Sequence, residues 1–390
     1  MNQSSNRLIR WLKRGRAAGP AESKAASYGF VAMHGAGPAA WTSASYAALS
    51  REGFMRNPVV HRCVTLTAEA AAAVPWLAHE GAREVPEHEL LALIDRPNQR
   101  DSRAAFLEAL YGQLLLSGDA FVERAGEGGG AALYLLRPDR VSVVTDDQGW
   151  PAAVEHRAGT AKRRIPFEGE DGVTRLLQLS RFHPLDDLRG LAPLEAALMA
   201  LDIHNAAGAW NKALLDNAAR PSGALVYAPA EGGNMAPEQF ERLKRDLEAD
   251  YAGAANAGRP LVLEGGLDWR AIGMTPKDMD FVEAKHAASR DIALAFGVPP
   301  MLLGIPGDAT YANYAEANRA FYRLTVLPMV TRTADAFARA FGAGRVRLTP
   351  DIDAIPGLSS ERDAFWARLE GASFITEDEK REAVGYGAKR

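Results

Sequence analysis

Residues 296–318 read FGVPPMLLGIPGDATYANYAEAN. Gly297-Val298-Pro299-Pro300 is a helix stop, because glycine readily takes the left-handed conformation beyond a helix end and the prolines cannot extend one. A loop rich in Gly and Pro follows from Met301 to about Tyr314. Helical spacing then runs from Ala315 to Phe341, with a kink expected at Pro328. Upstream of the stop, Thr275-Pro276-Lys277-Asp278 is a capped helix start, which puts a helix over about 276–297. Before it lies a small module with β-type segments at Ser222–Tyr227 and from Pro260 to Trp269. Between them Pro237 opens a helix in which Phe240, Leu243, Leu247 and Tyr251 recur at helical spacing. Earlier still, Pro193 starts a helix that ends before Pro221 and spans on the order of 40 Å at ~1.5 Å per residue. Two helices thus bracket one inserted module.

The region ahead of them is mixed. Asn57-Pro58 is an N-cap followed by a first-turn proline, opening a helix that runs to Pro75. A strand through Trp76–Ala78 and a short helix near His88–Ile94 follow. Asp101 or Ser102 caps a helix with Phe106, Leu107, Leu110, Leu114 and Leu115 on one side, ended by Gly118. Short β-type runs then occupy Phe121-Val122, Leu133–Leu136, Val141–Val144, Ala152–Val154 and Leu176–Leu179. Glycines 128–130 and Asp146–Gly149 supply turns. Beyond the long C-terminal helix, a strand at Val346–Leu348, a helix after Ser359 and a last helix capped at Thr376, with Glu379 three residues on, are expected. Residues 1 to about 50, rich in Ala, Gly and Ser, read as an arm with little regular structure. The fold class is α+β.

Composition narrows the function. Net charge is −4. Residues 1–24 hold six Lys/Arg and one acid, Glu22, or +5, leaving −4 − 5 = −9 for the remainder. A sequence-specific DNA binder carries a basic stripe on its folded part, and here that part is acidic. Weak phosphate contact is nonetheless what a sliding channel needs. The basic N-terminus RLIRWLKRGR lacks the long apolar centre of a secretion signal, and no apolar run approaches the roughly 20 residues of a membrane span. The single cysteine, Cys63, excludes an internal disulfide and reads as a small buried hydrophobe.

Catalytic motifs are wanting. There is no phosphate-binding G-x-x-x-x-G-K-[ST] and no H-E-x-x-H. Asp351 and Asp353 form a D-x-D after a strand, but without an evident third ligand they read as a polar loop, and no metal or other cofactor is expected. His183, before Pro184, reads as structural.

Several stretches together carry a resemblance: NPVVHRCV (57–64), LLLSGDAFVE (114–123), LRPDRVSV (136–143), DDLRGLAPLE (186–195), NAARPSGAL (217–225), VLEGGL (262–267), FGVPPMLLG (296–304) and ATYANYAEAN (309–318). In this order, over about residues 50–345, the chain resembles the portal proteins of tailed phages, in the branch of long-tailed phages and gene transfer agents. The resemblance implies a wing over 51–192, stem helices over 193–219 and 276–297, a clip over 220–275, a tunnel loop over 298–314, a kinked helix over 315–342 and a tail over 343–390 with short crown-like helices. It implies a homo-oligomeric ring, usually of twelve copies, around double-stranded DNA at one capsid vertex of a virion or phage-like particle. Its partners would be the large terminase, the head–tail adaptor and the major capsid protein, with no membrane and no catalysis. Mapped segment by segment, it puts Leu303, Ile305, Pro306, Gly307, Asp308, Thr310, Tyr311 and Asn313 in the tunnel loop. Lys277, Asp280, Lys285 and Arg290 fall on the stem, and Arg220, Pro221, Ser222, Gly223 and Arg259 in the clip. The tunnel loop is free of Lys and Arg, so it would not pin phosphates. The alternatives are an adaptor without a bore and a metal-dependent nuclease using Asp351 and Asp353.

Overall fold

A computed structural model of the protein describes residues 41–81, 83–126, 130–216, 223–227, 236–239, 241–243, 245, 267–271, 281–306, 311–342 and 344–384. Residues from Thr42 onward belong to one unit. Its first elements precede the expected start. A short helix α1 (Tyr46–Ala48) runs into a π-helical turn over Leu49–Phe54, and Leu49 is buried. The backbone N–H and hydroxyl of Thr42 donate to the carboxylate of Asp202, tying this segment down. Residues 42–50 are therefore not part of a loose arm. A lone buried leucine and one long-range carboxylate left no periodic signal.

The next helix begins where the sequence puts it. Asn57 Oδ1 accepts from the N–H groups of Val59 and Val60, and α2 spans Pro58–Ala72. β1 (Trp76–Glu80), β2 (Arg83–Glu84) and α3 (Glu89–Asp95) follow. Ser102 caps α4 (Arg103–Ser117), and Gly118, at φ 77°, ends it. α2 and α4 pack together, and α4 buries Phe106, Leu107, Leu110 and Tyr111.

Two antiparallel three-stranded sheets come next. β3 (Asp119–Ala125) lies between β4 (Ala132–Leu136) and β8 (Leu176–Ser180). β6 (Pro151–Ala158) lies between β5 (Val141–Thr145) and β7 (Ala161–Pro166). The sheets share a small core of Phe121, Leu136, Val141, Val154, Ile165 and Leu176. β7 was not expected. Its sequence is AKRRIP and it buries Ile165 alone, so no hydrophobic alternation announces it.

The helix expected over 193–219 is interrupted. One turn, α5 (Pro193–Ala196), ends at Ala197, which leaves the helical region at φ −110° and ψ 19°. α6 (Leu198–Asp216) then carries the chain to β9 (Gly223–Tyr227), which pairs antiparallel with β10 (Leu267–Ala271). α7 (Phe281–Phe296) returns alongside α6. α8 (Tyr311–Phe321), a π-helical turn over Tyr322–Val326 and α9 (Leu327–Phe341) follow one another directly.

Pro328 thus sits at the start of α9, straight after the π turn, and not inside a uniform α-helix. A proline inside an α-helix removes one N–H and presses its ring on the carbonyl four residues back. The wider turn, in which the N–H of Leu327 reaches the carbonyl of Tyr322, meets both demands. β11 (Arg347–Pro350) pairs with β1 and closes a third sheet of order β11-β1-β2. Val330, Ala334 and Phe337 of α9 join the α2–α4 core. Helices α10 (Ser359–Gly371) and α11 (Glu377–Ala383) end the described chain, and Thr376 and Glu379 cap α11 reciprocally.

Candidate functional site

α6 and α7 lie within the two stretches, 193–219 and 276–297, that the resemblance assigns to stem helices. The two helices pack together, and Leu201, His204 and Ala207 of α6 and Ala288, Ser289, Ile292 and Phe296 of α7 are buried. Ser289 Oγ donates to the carbonyl of Lys285 at 2.8 Å.

Buried polar groups join this pair to the mixed region. Asn57 Nδ2 donates to Asn205 Oδ1 at 2.9 Å and to His204 Nδ1 at 3.0 Å. Asn205 Nδ2 donates to the carbonyl of Glu52. The orientation of the Asn57 amide is settled by its oxygen, which already caps α2. His204 Nδ1 must therefore accept, which makes the ring neutral with its proton on Nε2. Burial, with the charge of Lys285 second, holds the imidazole below the usual histidine range.

A second knot forms at Asp119. Its carboxylate accepts from Ser180 Oγ at 2.6 Å, Gln178 Nε2 at 3.2 Å and the N–H of Gly190 at 3.0 Å. Beside it the backbones of Gly118 and Gly190 cross so closely that a Cβ on either residue would strike the other's carbonyl. In the sheets, Glu123 and Arg163 form a two-armed ion pair between β3 and β7.

The loop after α7 is held at both ends. Gly297, at φ 67°, ends the helix, and its carbonyl accepts from Thr325 Oγ1 at 2.6 Å. A 3-10 turn over Pro300–Leu303 closes at Gly304, φ 71°. The N–H of Ile305 returns to the carbonyl of Pro300 at 3.2 Å. Arg290 Nη2 then donates to the carbonyl of Pro306 at 2.6 Å, fastening the outgoing strand of the loop to α7.

The structure revises several expected placements. Leu303 packs on the main core. Tyr311 and Asn313 belong to α8, which starts four residues earlier than expected, so the loop is shorter. Tyr311 opens that helix because the pattern of alanines from Ala312 suits helical backbone. Ile305 is half-buried and Pro306 exposed. Lys285 acts on His204 across the helix pair, and Arg290 serves as a loop clamp. Gly223 opens β9 opposite Ala271. Gly307, Asp308, Thr310, Lys277, Asp280, Arg220, Pro221, Ser222 and Arg259 lie outside the described residues. Thr325, His204 and the long-range contact of the helix cap Asn57 carry roles that sequence reasoning missed, because their partners lie 28 and 147 positions away.

Asp351 Oδ1 accepts from the N–H groups of Asp353 and Ala354, so this carboxylate caps a turn. Among the described residues no three His, Cys, Asp or Glu side chains converge as a metal site would require. Nor is any helix among them long and apolar enough to cross a membrane.

The family model described as phage portal protein matches residues 58–385. This chain belongs to the phage portal protein family. Portal proteins are structural head–tail connectors, and the paired helices, inserted strands and clamped loop are the parts of this connector that the fold displays. The chain is 50% identical to one in the neck of an empty gene transfer agent particle, with a TM-score of 0.69, covering 91% of this chain and 97% of that one. An uncharacterized protein of Rickettsia bellii is 37% identical over 339 residues, 86% of this chain and 88% of that protein. The portal protein of Enterobacteria phage HK97 is 24% identical over 391 residues, 96% of this chain and 87% of that protein. An HK97-family portal protein from Corynebacterium diphtheriae, at 15% identity and a TM-score of 0.56, shares the fold.

Proposed function

We propose that this portal subunit assembles as a homo-oligomeric ring of twelve copies at one vertex of a gene-transfer-agent-type or phage-like particle. Double-stranded DNA would pass through its axis during packaging and exit. The observation that carries the reading is the 50% identity, over 91% of this chain, to a chain from the neck of a gene transfer agent particle. A related neck structure was computed with twelvefold symmetry. The ring would form in the bacterial cytoplasm. It would meet the large terminase through the inserted module between β9 and β10, and later the head–tail adaptor through the same module. The major capsid protein would surround the wing.

Electrostatics support a channel that does not grip its cargo. The chain beyond residue 24 carries −9, from −4 − 5. DNA contact is then independent of sequence and weak, which favours sliding. ATP hydrolysis belongs to the terminase, since the chain has no phosphate-binding loop.

Negative-stain imaging of the purified full-length protein tests this. A ring with an axial channel at least ~20 Å wide, enough for a duplex with its ~12 Å major groove, is expected. A ring without such a channel would favour an adaptor, and a lone subunit under every condition would overturn the proposal. Removing Ile305–Thr310 should leave rings assembled and reduce DNA retained in particles.

A further inference from the structure

A cleft of about 280 Å³ opens where the end of α7, the end of β8 and the π turn before α9 meet. Arg181 and Arg332 both line it, and no carboxylate does. Neither guanidinium makes a salt bridge or a side-chain hydrogen bond among the described residues. The two charges also oppose each other, since burial and the charge of Arg332 together pull Arg181 below its usual range. At the same cleft Leu294 and Leu324 are 78% and 77% exposed, and Pro328 is exposed as well.

An isolated subunit gains nothing from this arrangement. A half-buried guanidinium without a counter-charge is unfavourable, and two leucines facing water forgo burial. Both penalties vanish if an apolar group bearing a carboxylate enters. Interfaces are built this way, with apolar contact around arginines whose charge is met by the partner.

We propose that the cleft is one half of the contact between neighbouring ring subunits: a second copy seats a carboxylate between Arg181 and Arg332 and an apolar side chain on Leu294 and Leu324. The inference rests on the ring reading above. Charge complementarity favours a second copy, because every copy carries −9 beyond residue 24 (−4 − 5) and so offers many carboxylates. A head-to-tail ring also requires two different patches on each subunit, one to receive and one to insert. A DNA phosphate is a poorer occupant, since it rides on a wide convex duplex and has nothing to offer exposed leucines.

The test uses the full-length protein, with the double variant Arg181→Glu, Arg332→Glu and the conservative Arg332→Lys. The ring fraction of each is read by native mass spectrometry, and the fold of each by thermal unfolding. Charge reversal should lower the ring fraction at least about a hundredfold at fixed protein concentration, with the melting of the subunit unchanged. Arg332→Lys should keep its rings. In rings mixed from isotope-labelled and unlabelled subunits, a carbodiimide should couple the introduced lysine to a carboxylate, giving peptides that pair one labelled and one unlabelled chain. Cross-links confined to one chain would overturn the inference, as would rings of wild-type stability in the charge-reversed protein. Intact rings that lose only DNA would overturn it in favour of a DNA contact. In each of those cases the channel reading survives. Wild-type protein that never forms rings would sink both.

Discussion

The amide nitrogen of Asn57 and the ring nitrogen Nδ1 of His204 lie 3.0 Å apart, in a buried seam that joins the capped start of α2 to α6. Because the amide donates, the imidazole must be neutral, and this gives the fold a pH dependence of definite sign. In the unfolded chain the histidine takes up a proton near the ordinary histidine value of 6.5, whereas the folded protein takes it up only at lower pH. Between these two pH values the unfolded state binds more protons, so stability is full above about 6.5 and is lost as pH falls from there toward the lower folded value. His204→Gln should flatten the fall in melting temperature between about pH 7 and pH 5 relative to wild type. Asn57→Asp keeps the cap but places a carboxylate against the ring. It favours the imidazolium, so the contribution of this pair should change sign and be lost as pH rises.

The crossing of Gly118 and Gly190 predicts a steep local intolerance. Gly118 is left-handed at φ 77° and its missing Cβ lies against the Gly190 carbonyl. Gly118→Ala and Gly190→Ala should each cost roughly 3 kcal/mol or more in urea unfolding, combining backbone strain with a collision. Gly81, at φ 60° with nothing within 4 Å, is the control. Its alanine variant should lose only about 1 kcal/mol.

Arg290 predicts a separation of loop order from stability. Its bond to Pro306 is exposed, so Arg290→Ala should lower stability by less than about 1 kcal/mol. The same change frees the segment between Gly304 and α8, and limited proteolysis should cut there several-fold faster than in wild type. Equal cleavage rates would show that Thr325 and the 3-10 turn hold the loop unaided.

Cys63 supplies a reporter of global opening. It is buried in α2, and burial pushes its thiol up to about 12. An alkylating reagent should leave the native protein unmodified at neutral pH and label it in step with denaturant unfolding. Labelling that runs ahead of the main transition would mean that α2 detaches early.

Much of the architecture was legible because its signals are local. Asn57-Pro58, Ser102 with Gly118, and Thr376 with Glu379 mark helix ends through contacts spanning a few residues, and each end was found. The bracket of two helices around paired β segments followed from the prolines and glycines between them. What escaped depends on distant partners. The strand AKRRIP is held by its register on β6 and by the Glu123–Arg163 pair, neither visible in its own residues. Tyr46–Phe54 owes its place to Asp202 and to the core that receives Leu49. Of the loop after α7, the helix stop at Gly297 was legible, whereas α8 begins at Tyr311, four residues before the expected start. The roles of Lys285 and Arg290 emerged only from what each one touches.

The π turn over Tyr322–Val326 has a consequence for how this chain can vary. A π turn holds one residue more than the α-helical turn it replaces. Deleting one residue there would restore an ordinary helix and rotate everything on one side by about 100° relative to the other. Tyr311 and the loop before it would then face a different azimuth, while Phe337 stayed in the core. A single-codon change at this joint would thus re-aim the loop ahead of α8 without disturbing the body that carries it.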